Sequence, residues 1–283
     1  MTVSNAHLSL TSFLLSGCLS LLAVVSLLID EETVGLVREY TPVLILANYV
    51  LVNLYYKLFY QGYHYQIAVR ATFLGTVFST GCLISVFASL SWMPLGLYMI
   101  IMAIFHFSEF LVTALVNART LSLDSFLLNH SKEYGIAALA SWIEFFLERW
   151  LLPEMKELWL FLLVGVVFCT AGEVLRKAAM MTAKTNFNHI VQSVREDGHQ
   201  LVTHGVYGLC RHPSYVGWFI WSIGTQLVLL NPLCLLAYTM ASWKFFQTRV
   251  LIEEVSLLNF FGDQYYEYQQ KVPTGLPFIK GYM

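Results

Sequence analysis

The residues best suited to chemistry lie in the stretch Gly205–Tyr215, which reads GVYGLCRHPSY. It places turn glycines beside a cation, Arg211, and an imidazole, His212, directly ahead of Pro213. Proline favours the first turn of a helix, and the free backbone N–H groups of that turn, together with Arg211, could receive a carboxylate or a phosphate. Arg211 and His212 could equally anchor a helix in the lipid headgroup layer, so the stretch alone leaves both interpretations open.

A second set of polar residues follows the last apolar run of the chain. Arg249 and Glu253 are four positions apart, so on a continuous helix they share a face and can reach each other or a common ligand. On an exposed surface such a pair would be a salt bridge of little energetic value. Because polar groups next to a membrane-length run are costly and tend to face a cavity, their position favours a functional role.

Other common catalytic arrangements are missing from the sequence. Four histidines of the C-terminal half lack HxxxH or HxxH spacing, and no metal site is expected from them: His189, His199, His204 and His212. His106 and Glu109 lie three positions apart in an apolar run and are expected to satisfy each other. No GxSxG, P-loop or GxGxxG motif occurs, so the chemistry must come from the polar stretches above.

The elements that position these residues are predicted to be transmembrane helices. Of the 283 residues, 57% are hydrophobic and 12% are charged, and the mean hydropathy is +0.63. This composition indicates an all-α integral membrane protein, and a net charge of -2 argues against nucleic acid as a partner. A span needs about 20 apolar residues. Eight candidate runs occur, at 8–29, 42–60, 68–90, 94–117, 134–150, 157–180, 214–230 and 233–248.

The chain is predicted to divide after the fourth of these helices. Residues 1–133 would hold helices one to four, and residues 134–283 would hold helices five to eight with a polar segment at 176–212 and a tail at 251–283. If the spans alternate, three basic residues fall on one face: Arg38, Arg149 and Lys156. The other Lys and Arg residues share the opposite face with both termini, which is therefore predicted to be cytoplasmic.

Two segments of the C-terminal half resemble the isoprenylcysteine carboxyl methyltransferase family. They are GHQLVTHGVYGLCRHPSYVGW and RVLIEEVSLLNFFGDQYYEYQQKVPTGLPF, joined through a short Asn231-Pro232 hairpin. The specific part of the resemblance covers about residues 192–277, and the eight-span plan is similar to that of the eukaryotic members. An RHPxYxG element with a hairpin and paired glutamates is shared with other membrane methyltransferases and, more loosely, with sterol reductases. The length, the tail and the polar segment favour the prenylcysteine enzyme.

The resemblance implies a multi-pass protein of the endoplasmic reticulum that uses S-adenosylmethionine and releases S-adenosylhomocysteine, without a metal. It would methylate the C-terminal carboxylate of farnesylated or geranylgeranylated cysteine in processed CaaX proteins of the small GTPase type. Arg249 would hold the substrate carboxylate, and Glu253 would close the catalytic site on the cytoplasmic face. Matching motif positions imply cofactor contacts at Gln192, His199, Gln200, Leu201, Val202, Tyr207, His212, Pro213, Ser214, Tyr215 and Glu253.

Elementary chemistry agrees with this implication. A terminal carboxylate has a pKa of about 3.5, so it is already ionised at neutral pH and needs no general base. Aromatic residues of the last two spans could line a lateral tunnel for the isoprenoid: Trp218, Phe219, Trp221, Trp243, Phe245 and Phe246. Two alternatives stay open, an NADPH-dependent membrane sterol reductase, which should bind NADPH, and a multi-span transporter, which should show internal repeats.

Overall fold

The computed structural model describes residues 4–25, 28, 30–128, 131–195 and 198–282. Within these ranges the chain is helical and contains no strand. Ten α-helices follow one another: α1 Asn5–Gly17, α2 Ser20–Val25, α3 Glu31–Phe59, α4 Gly62–Phe87, α5 Met93–Val116, α6 Lys132–Leu151, α7 Trp159–Ala183, α8 Pro213–Leu229, α9 Pro232–Phe261 and α10 Asp263–Lys271. The predicted all-α architecture is confirmed.

Four of the described helical stretches are long and apolar enough to cross a membrane: Glu31–Phe59, Gly62–Phe87, Leu90–Val116 and Trp159–Asn186. Helices α6, α8 and α9 occupy the positions of the fifth, seventh and eighth predicted spans. The total of eight spans therefore stays a prediction. The first predicted span is not one helix, because α1 ends at Gly17 and α2 begins at Ser20.

Helix α3 starts earlier than predicted. The second apolar run was predicted to begin at residue 42, but α3 begins at Glu31 and contains Pro42. The Asp30 side chain accepts a hydrogen bond of 2.9 Å from the Thr33 backbone N–H, and this N-terminal cap starts the helix before the proline. Apolar membrane helices tolerate an internal proline where local adjustments satisfy the freed backbone carbonyl.

Helices α7 and α8 pack closely because glycines face each other across their interface. A Cβ atom built on Gly172 would lie 2.5 Å from the carbonyl oxygen of Gly217, and one built on Gly217 would lie 2.6 Å from that of Gly172. No side chain fits at either position, so the two backbones meet directly. One turn further along α7, this contact brings Arg176 against Ser214 at the start of α8.

The predicted Asn231-Pro232 hairpin is confirmed, and helix α6 and the following turn hold it. The buried Lys156 ammonium donates to the carbonyl oxygens of Leu229 and Leu230 at 2.9 Å each. Glu144 accepts backbone hydrogen bonds of 2.7 Å from the first turn of α9. A cation at the end of α8 and an anion at the start of α9 both match the helix dipoles.

Both polar pieces of the C-terminal half are more helical than predicted. Helix α7 runs through Arg176 to Ala183, so the irregular segment begins at Lys184. Helix α9 runs to Phe261, which places Arg249 and Glu253 on one helix as expected. After α10 the chain folds back, and its carbonyls at positions 273 and 274 accept the backbone N–H groups of residues 211 and 212.

Candidate active site

One cavity lies where α7, α8 and α9 meet the irregular segment. Its volume is about 1190 Å³, counted to its open mouth. Every residue implicated by the sequence resemblance lines it: Gln192, His199, Gln200, Leu201, Val202, Tyr207, His212, Pro213, Ser214, Tyr215, Arg249 and Glu253.

The start of α8 forms one wall of the cavity, but Arg211 is not the free anion receptor that its position predicts. Its guanidinium donates to Glu254 at 2.8 Å and also to the main-chain carbonyls of Val272 and Lys280 in the C-terminal tail. The backbone N–H groups of Arg211 and His212 are also taken by tail carbonyls. Arg211 therefore fastens the tail to the start of α8.

Glu254 is the anion that organises this wall. Its fully buried carboxylate accepts hydrogen bonds from Arg211 at 2.8 Å, from the His212 ring at 3.0 Å and from the Tyr265 hydroxyl at 3.2 Å. It also accepts from the Tyr282 backbone N–H at 2.7 Å. Burial raises the pKa of Glu254, but the hydrogen bonds and charges of His212 and Arg211 outweigh burial and lower it to about 2. Glu254 is therefore ionised at neutral pH.

Tyr215 joins the two residues that were predicted to act together on α9. The Tyr215 hydroxyl donates a short hydrogen bond to Glu253 and accepts one of 3.3 Å from Arg249. Its ring stacks on the His212 ring, with centroids 5.5 Å apart and planes 5° from parallel. Arg249 and Glu253 thus meet through the Tyr215 hydroxyl.

Three arginines line the cavity, and their partners differ. Arg176 is paired with Glu109, and Arg211 is paired with Glu254. Arg249 donates to the Tyr215 hydroxyl and, at 2.8 Å, to the main-chain carbonyl of residue 189. Among the residues that the structure describes, both of these partners of Arg249 are neutral, and no carboxylate lies within 4.0 Å of its side chain. Arg249 therefore offers its charge to an anion inside the cavity.

A buried ionic cluster lies behind the cavity, centred on Glu109 of α5. Arg176 binds this carboxylate with two nitrogens, at 2.5 and 2.8 Å, and Lys177 makes a further short contact. The His189 ring lies 2.8 Å from the same carboxylate. The predicted pairing of Glu109 with His106 is wrong, because α5 turns the His106 ring toward the carbonyl of Phe126, 2.9 Å away.

Residues 186–192 and 199–202 belong to a loop that lines one side of the cavity. The Asn186 side chain accepts the backbone N–H of Gln200 at 2.9 Å, which holds the two ends of this loop together. Arg195 donates to the Phe260 carbonyl at 2.8 Å and lies over the Phe261 ring, so the loop is attached to the end of α9. His199 packs edge-on against the same two phenylalanines.

Two further cavity residues are held by hydrogen bonds that involve a main-chain carbonyl. The Gln192 side chain donates to the carbonyl of Ile190 at 3.2 Å. The carbonyl of Tyr207 accepts from the Tyr268 hydroxyl of α10 at 2.5 Å. Burial raises the pKa of the Tyr207 hydroxyl, so this group stays protonated and can donate a hydrogen bond at neutral pH.

The six aromatic residues considered for a lipid tunnel fall into three groups. Trp218 and Phe245 line the cavity. Phe219, Trp221 and Phe246 are buried in the helix interfaces, and Trp221 stacks on Phe105 with centroids 3.9 Å apart. The Trp243 indole donates to the carbonyl of Pro277 at 2.7 Å and supports the tail.

Comparison with known proteins decides the family. The model of the isoprenylcysteine carboxyl methyltransferase (ICMT) family matches residues 163–259. The protein-S-isoprenylcysteine O-methyltransferase of Homo sapiens is 50% identical over 279 residues, which covers 98% of this chain and 94% of the relative. The corresponding protein of Xenopus laevis is 57% identical over 224 residues, 79% and 77% of the two chains. The chain belongs to the isoprenylcysteine carboxyl methyltransferase family.

Structural similarity agrees with this membership. A solved structure described as the eukaryotic intramembrane Ras methyltransferase ICMT matches with a TM-score of 0.90 at 45% sequence identity, and the match covers 99% of each chain. This member of the isoprenylcysteine carboxyl methyltransferase family is an integral membrane enzyme that methylates the carboxylate of prenylcysteine in protein substrates. The relatives do not favour a sterol reductase or a transporter.

Two residues of the site region were not recognised from the sequence. Glu109 carries no motif and lies 67 residues from its partner Arg176. Glu254 is adjacent to Glu253, but adjacent residues of a helix point about 100° apart, so one faces the cavity and the other faces the tail. The adjacent acidic pair directly after a membrane-length run was the available signal for Glu254. For Glu109 the signal was a carboxylate inside a membrane-length run.

Proposed function

We propose that the methyl donor of this methyltransferase is S-adenosylmethionine, bound in the cavity by the residues of the 192–215 stretch and by Glu253. The proposed substrates are processed CaaX proteins of the small GTPase type. The proposed location is the endoplasmic reticulum, with a multi-pass topology and with the site and both termini on the cytoplasmic face. Residues 134–283 would form the catalytic part on the helices of residues 1–133.

The observation that carries this proposal is the state of Arg249. Two cavity arginines are neutralised by buried carboxylates, whereas the hydrogen bonds of Arg249 within the described residues go to a hydroxyl and a carbonyl. A charged hydrogen bond to a carboxylate is stronger than either of these, so an entering C-terminal carboxylate gains the most at Arg249. We assign Arg249 as the substrate anchor.

The cavity walls suit the proposed donor. Polar groups of the loop, the Tyr207 hydroxyl and the Glu253 carboxylate offer partners to its polar parts, while Phe260 and Phe261 offer apolar faces. When bound, S-adenosylmethionine supplies an activated methyl group on a positively charged sulfur. The Glu253 carboxylate lies beside the Tyr215 hydroxyl, and its negative charge favours a cationic ligand in the cavity.

The residues promote transfer by position and by excluding water. The substrate carboxylate is ionised at neutral pH, so no side chain has to remove a proton from it. Arg249 orients the carboxylate, and the Tyr215 hydroxyl fixes Arg249 from the other side. The loop and the aromatic residues cover the cavity, which removes hydration from the nucleophilic oxygen. Alignment of reacting groups of this kind lowers a barrier without general-base catalysis.

The direct test uses the purified full-length protein in lipid nanodiscs. With methyl-labelled S-adenosylmethionine and N-acetyl-S-farnesylcysteine, we expect a labelled ester that releases methanol in base. The amide analogue, which lacks the carboxylate, should accept no label. Absence of transfer to the carboxylate substrate would contradict the donor assignment, and binding of NADPH in its place would favour the reductase.

Arg249→Ala tests the anchor. A charged hydrogen bond is worth about 1.5–3 kcal/mol, so substrate affinity should fall roughly 10- to 100-fold while the dissociation constant of S-adenosylmethionine, measured by calorimetry, changes little. Lys244→Ala removes an exposed cation of the same helix and serves as the matched control, with unchanged affinity for both ligands. Unaltered substrate affinity in Arg249→Ala would contradict the role of Arg249 as the substrate anchor.

Replacing Tyr207 tests the cofactor side. Tyr207→Phe removes a hydroxyl that lines the cavity and should weaken S-adenosylmethionine binding by a few fold, with substrate affinity retained. Topology is tested separately with a glycosylation acceptor appended to the C-terminus. We expect this acceptor to stay unmodified in microsomes, and its modification would contradict a cytoplasmic terminus.

A further inference from the structure

The ionic cluster around Glu109 touches the active site on two sides. On one side Glu109 binds Arg176, and Arg176 donates to the Ser214 hydroxyl at 2.7 Å in the cofactor wall. On the other side Glu109 binds the ring of His189, and the carbonyl of His189 accepts from Arg249 at 2.8 Å. The buried carboxylate of Glu109 is therefore connected to each proposed binding wall through a single intermediate residue.

The cluster is built to hold a fixed geometry. Glu109 is fully buried, and the His189 side chain is 16% exposed. Arg176 binds Glu109 in the bidentate manner that fixes both distance and plane, and its guanidinium also lies 4.8 Å from the centre of the Trp218 ring. A buried charge that loses one partner is left uncompensated, so each member keeps the others in place.

We propose that Glu109 and His189 are positioning residues for methyl transfer, and that His189 acts on the substrate through Arg249. Glu109 lies on α5, outside the residues 163–259 that the family model matches. The N-terminal helices thus contribute to the geometry of the site as well as to the membrane anchor. This inference rests on the proposed role of Arg249 as the substrate anchor.

The mechanism of positioning is specific. The side chain of His189 does not bind Arg249; the backbone carbonyl does, and the ring fixes that backbone by binding Glu109. Loss of the ring should let the loop shift and carry the carbonyl away from Arg249. Displacement of about 1 Å at a remote support can cost up to 100-fold in rate.

The experiment compares His189→Ala with the conservative His189→Gln in the full-length protein in nanodiscs. Glutamine keeps an N–H donor at similar reach to Glu109, whereas alanine removes it. For His189→Ala we expect roughly a tenfold rise in the KM and in the dissociation constant for N-acetyl-S-farnesylcysteine. The dissociation constant of S-adenosylmethionine should stay within threefold, and His189→Gln should restore most of the substrate affinity. His64→Ala, at an exposed position of α4, is the control and should change neither.

A double-mutant cycle separates this inference from the proposed function. If His189 acts through Arg249, His189→Ala should have almost no further effect on substrate binding in the Arg249→Ala background. An effect of full size in that background overturns the inference alone. Unchanged substrate affinity in Arg249→Ala by itself overturns the anchor assignment and the inference with it.

Glu109→Gln gives a second signature, because Glu109 supports both walls. It should weaken binding of the substrate and of S-adenosylmethionine, whereas His189→Ala weakens the substrate alone. If Glu109→Gln fails to fold, the His189 pair and the cycle still decide the proposal. Equal losses for both ligands in His189→Ala would point to general loosening of the site and would overturn it.

Discussion

Substitution of Glu254 by glutamine should unfasten the C-terminal tail from the start of α8. The carboxylate accepts hydrogen bonds from the charged Arg211, from His212, from Tyr265 and from the backbone of Tyr282. Glutamine has nearly the same shape but no charge, and its amide nitrogen would face donors instead of accepting from them. Arg211 would then be a buried cation without a carboxylate partner.

The expected loss of stability follows from the burial of this ion pair. Removing one member of a buried ion pair costs about 3–5 kcal/mol. The pKa of Glu254, lowered from the ordinary 4.5 to about 2, agrees in direction, because it indicates that the folded protein favours the charged carboxylate. We therefore expect Glu254→Gln to lower the free energy of unfolding by about 3 kcal/mol. For a chain of this size the melting temperature should fall by roughly 6 to 12 °C.

Glu253→Gln is the matched control on the neighbouring position. The Glu253 side chain is 30% exposed and contacts the Tyr215 hydroxyl and, at 3.8 Å, the His212 ring, so its loss should cost less than about 1 kcal/mol. The assay is a thermal melt in nanodiscs together with limited proteolysis of the tail beyond α10. Only Glu254→Gln should melt early and expose the tail. Equal melting temperatures for the two variants would refute the argument.

The pH dependence supplies a second check on Glu254. Its pKa is lower in the folded protein than in the unfolded chain, so its contribution to stability is fully present above about pH 4.5. That contribution is lost as the pH falls from 4.5 toward 2. The difference in melting temperature between the wild type and Glu254→Gln should therefore shrink as the pH falls below 4.5. A difference that grows on acidification would contradict the assigned ionisation.

Two further predictions concern contacts near the site. Tyr215→Phe removes the hydroxyl that joins Arg249 to Glu253. It should lower kcat/KM by roughly 10- to 100-fold in the labelled-methyl assay, while the melting temperature changes by less than about 4 °C. An activity within threefold of the wild type would rule out this bridge. Gly217→Ala places a methyl group 2.6 Å from the carbonyl oxygen of Gly172. It should destabilise the protein by about 1–3 kcal/mol, measured in the same thermal melt. An unchanged melting temperature would show that α7 and α8 can separate at no cost.

Much of the fold could be predicted because apolar runs and helix stops are local features. Local features are misleading where packing between helices overrides them. The run from 8 to 29 was predicted as one span, yet α1 ends at Gly17. Three serines of α1 are buried in its contact with neighbouring helices: Ser9, Ser12 and Ser16. Pro42 marks a helix stop in soluble proteins, but it stands inside an exposed, apolar helix here.

The site could be predicted in part because its cofactor-side candidates form one continuous motif. The motif brings its candidates between His199 and Tyr215 to one cavity, and the helical spacing of Arg249 and Glu253 places both on one helix. The ion pairs between distant parts of the chain could not be predicted, because the sequence does not show which cation each buried carboxylate contacts. Arg211 thus looked like a ligand receptor, although Glu254 and the tail occupy it.

The two buried carboxylates explain how one cationic anchor can stay available in a cavity with three arginines. Glu109 and Glu254 neutralise Arg176 and Arg211 and turn both into fixed supports. Such pairs add little net stability compared with an apolar core, but removal of any member is costly, so they fix geometry. Within the described residues Arg249 hydrogen-bonds to neutral groups, and we propose that its charge attracts the substrate carboxylate. Methylation converts that carboxylate into a neutral ester, so the product would lose the attraction and leave the proposed anchor.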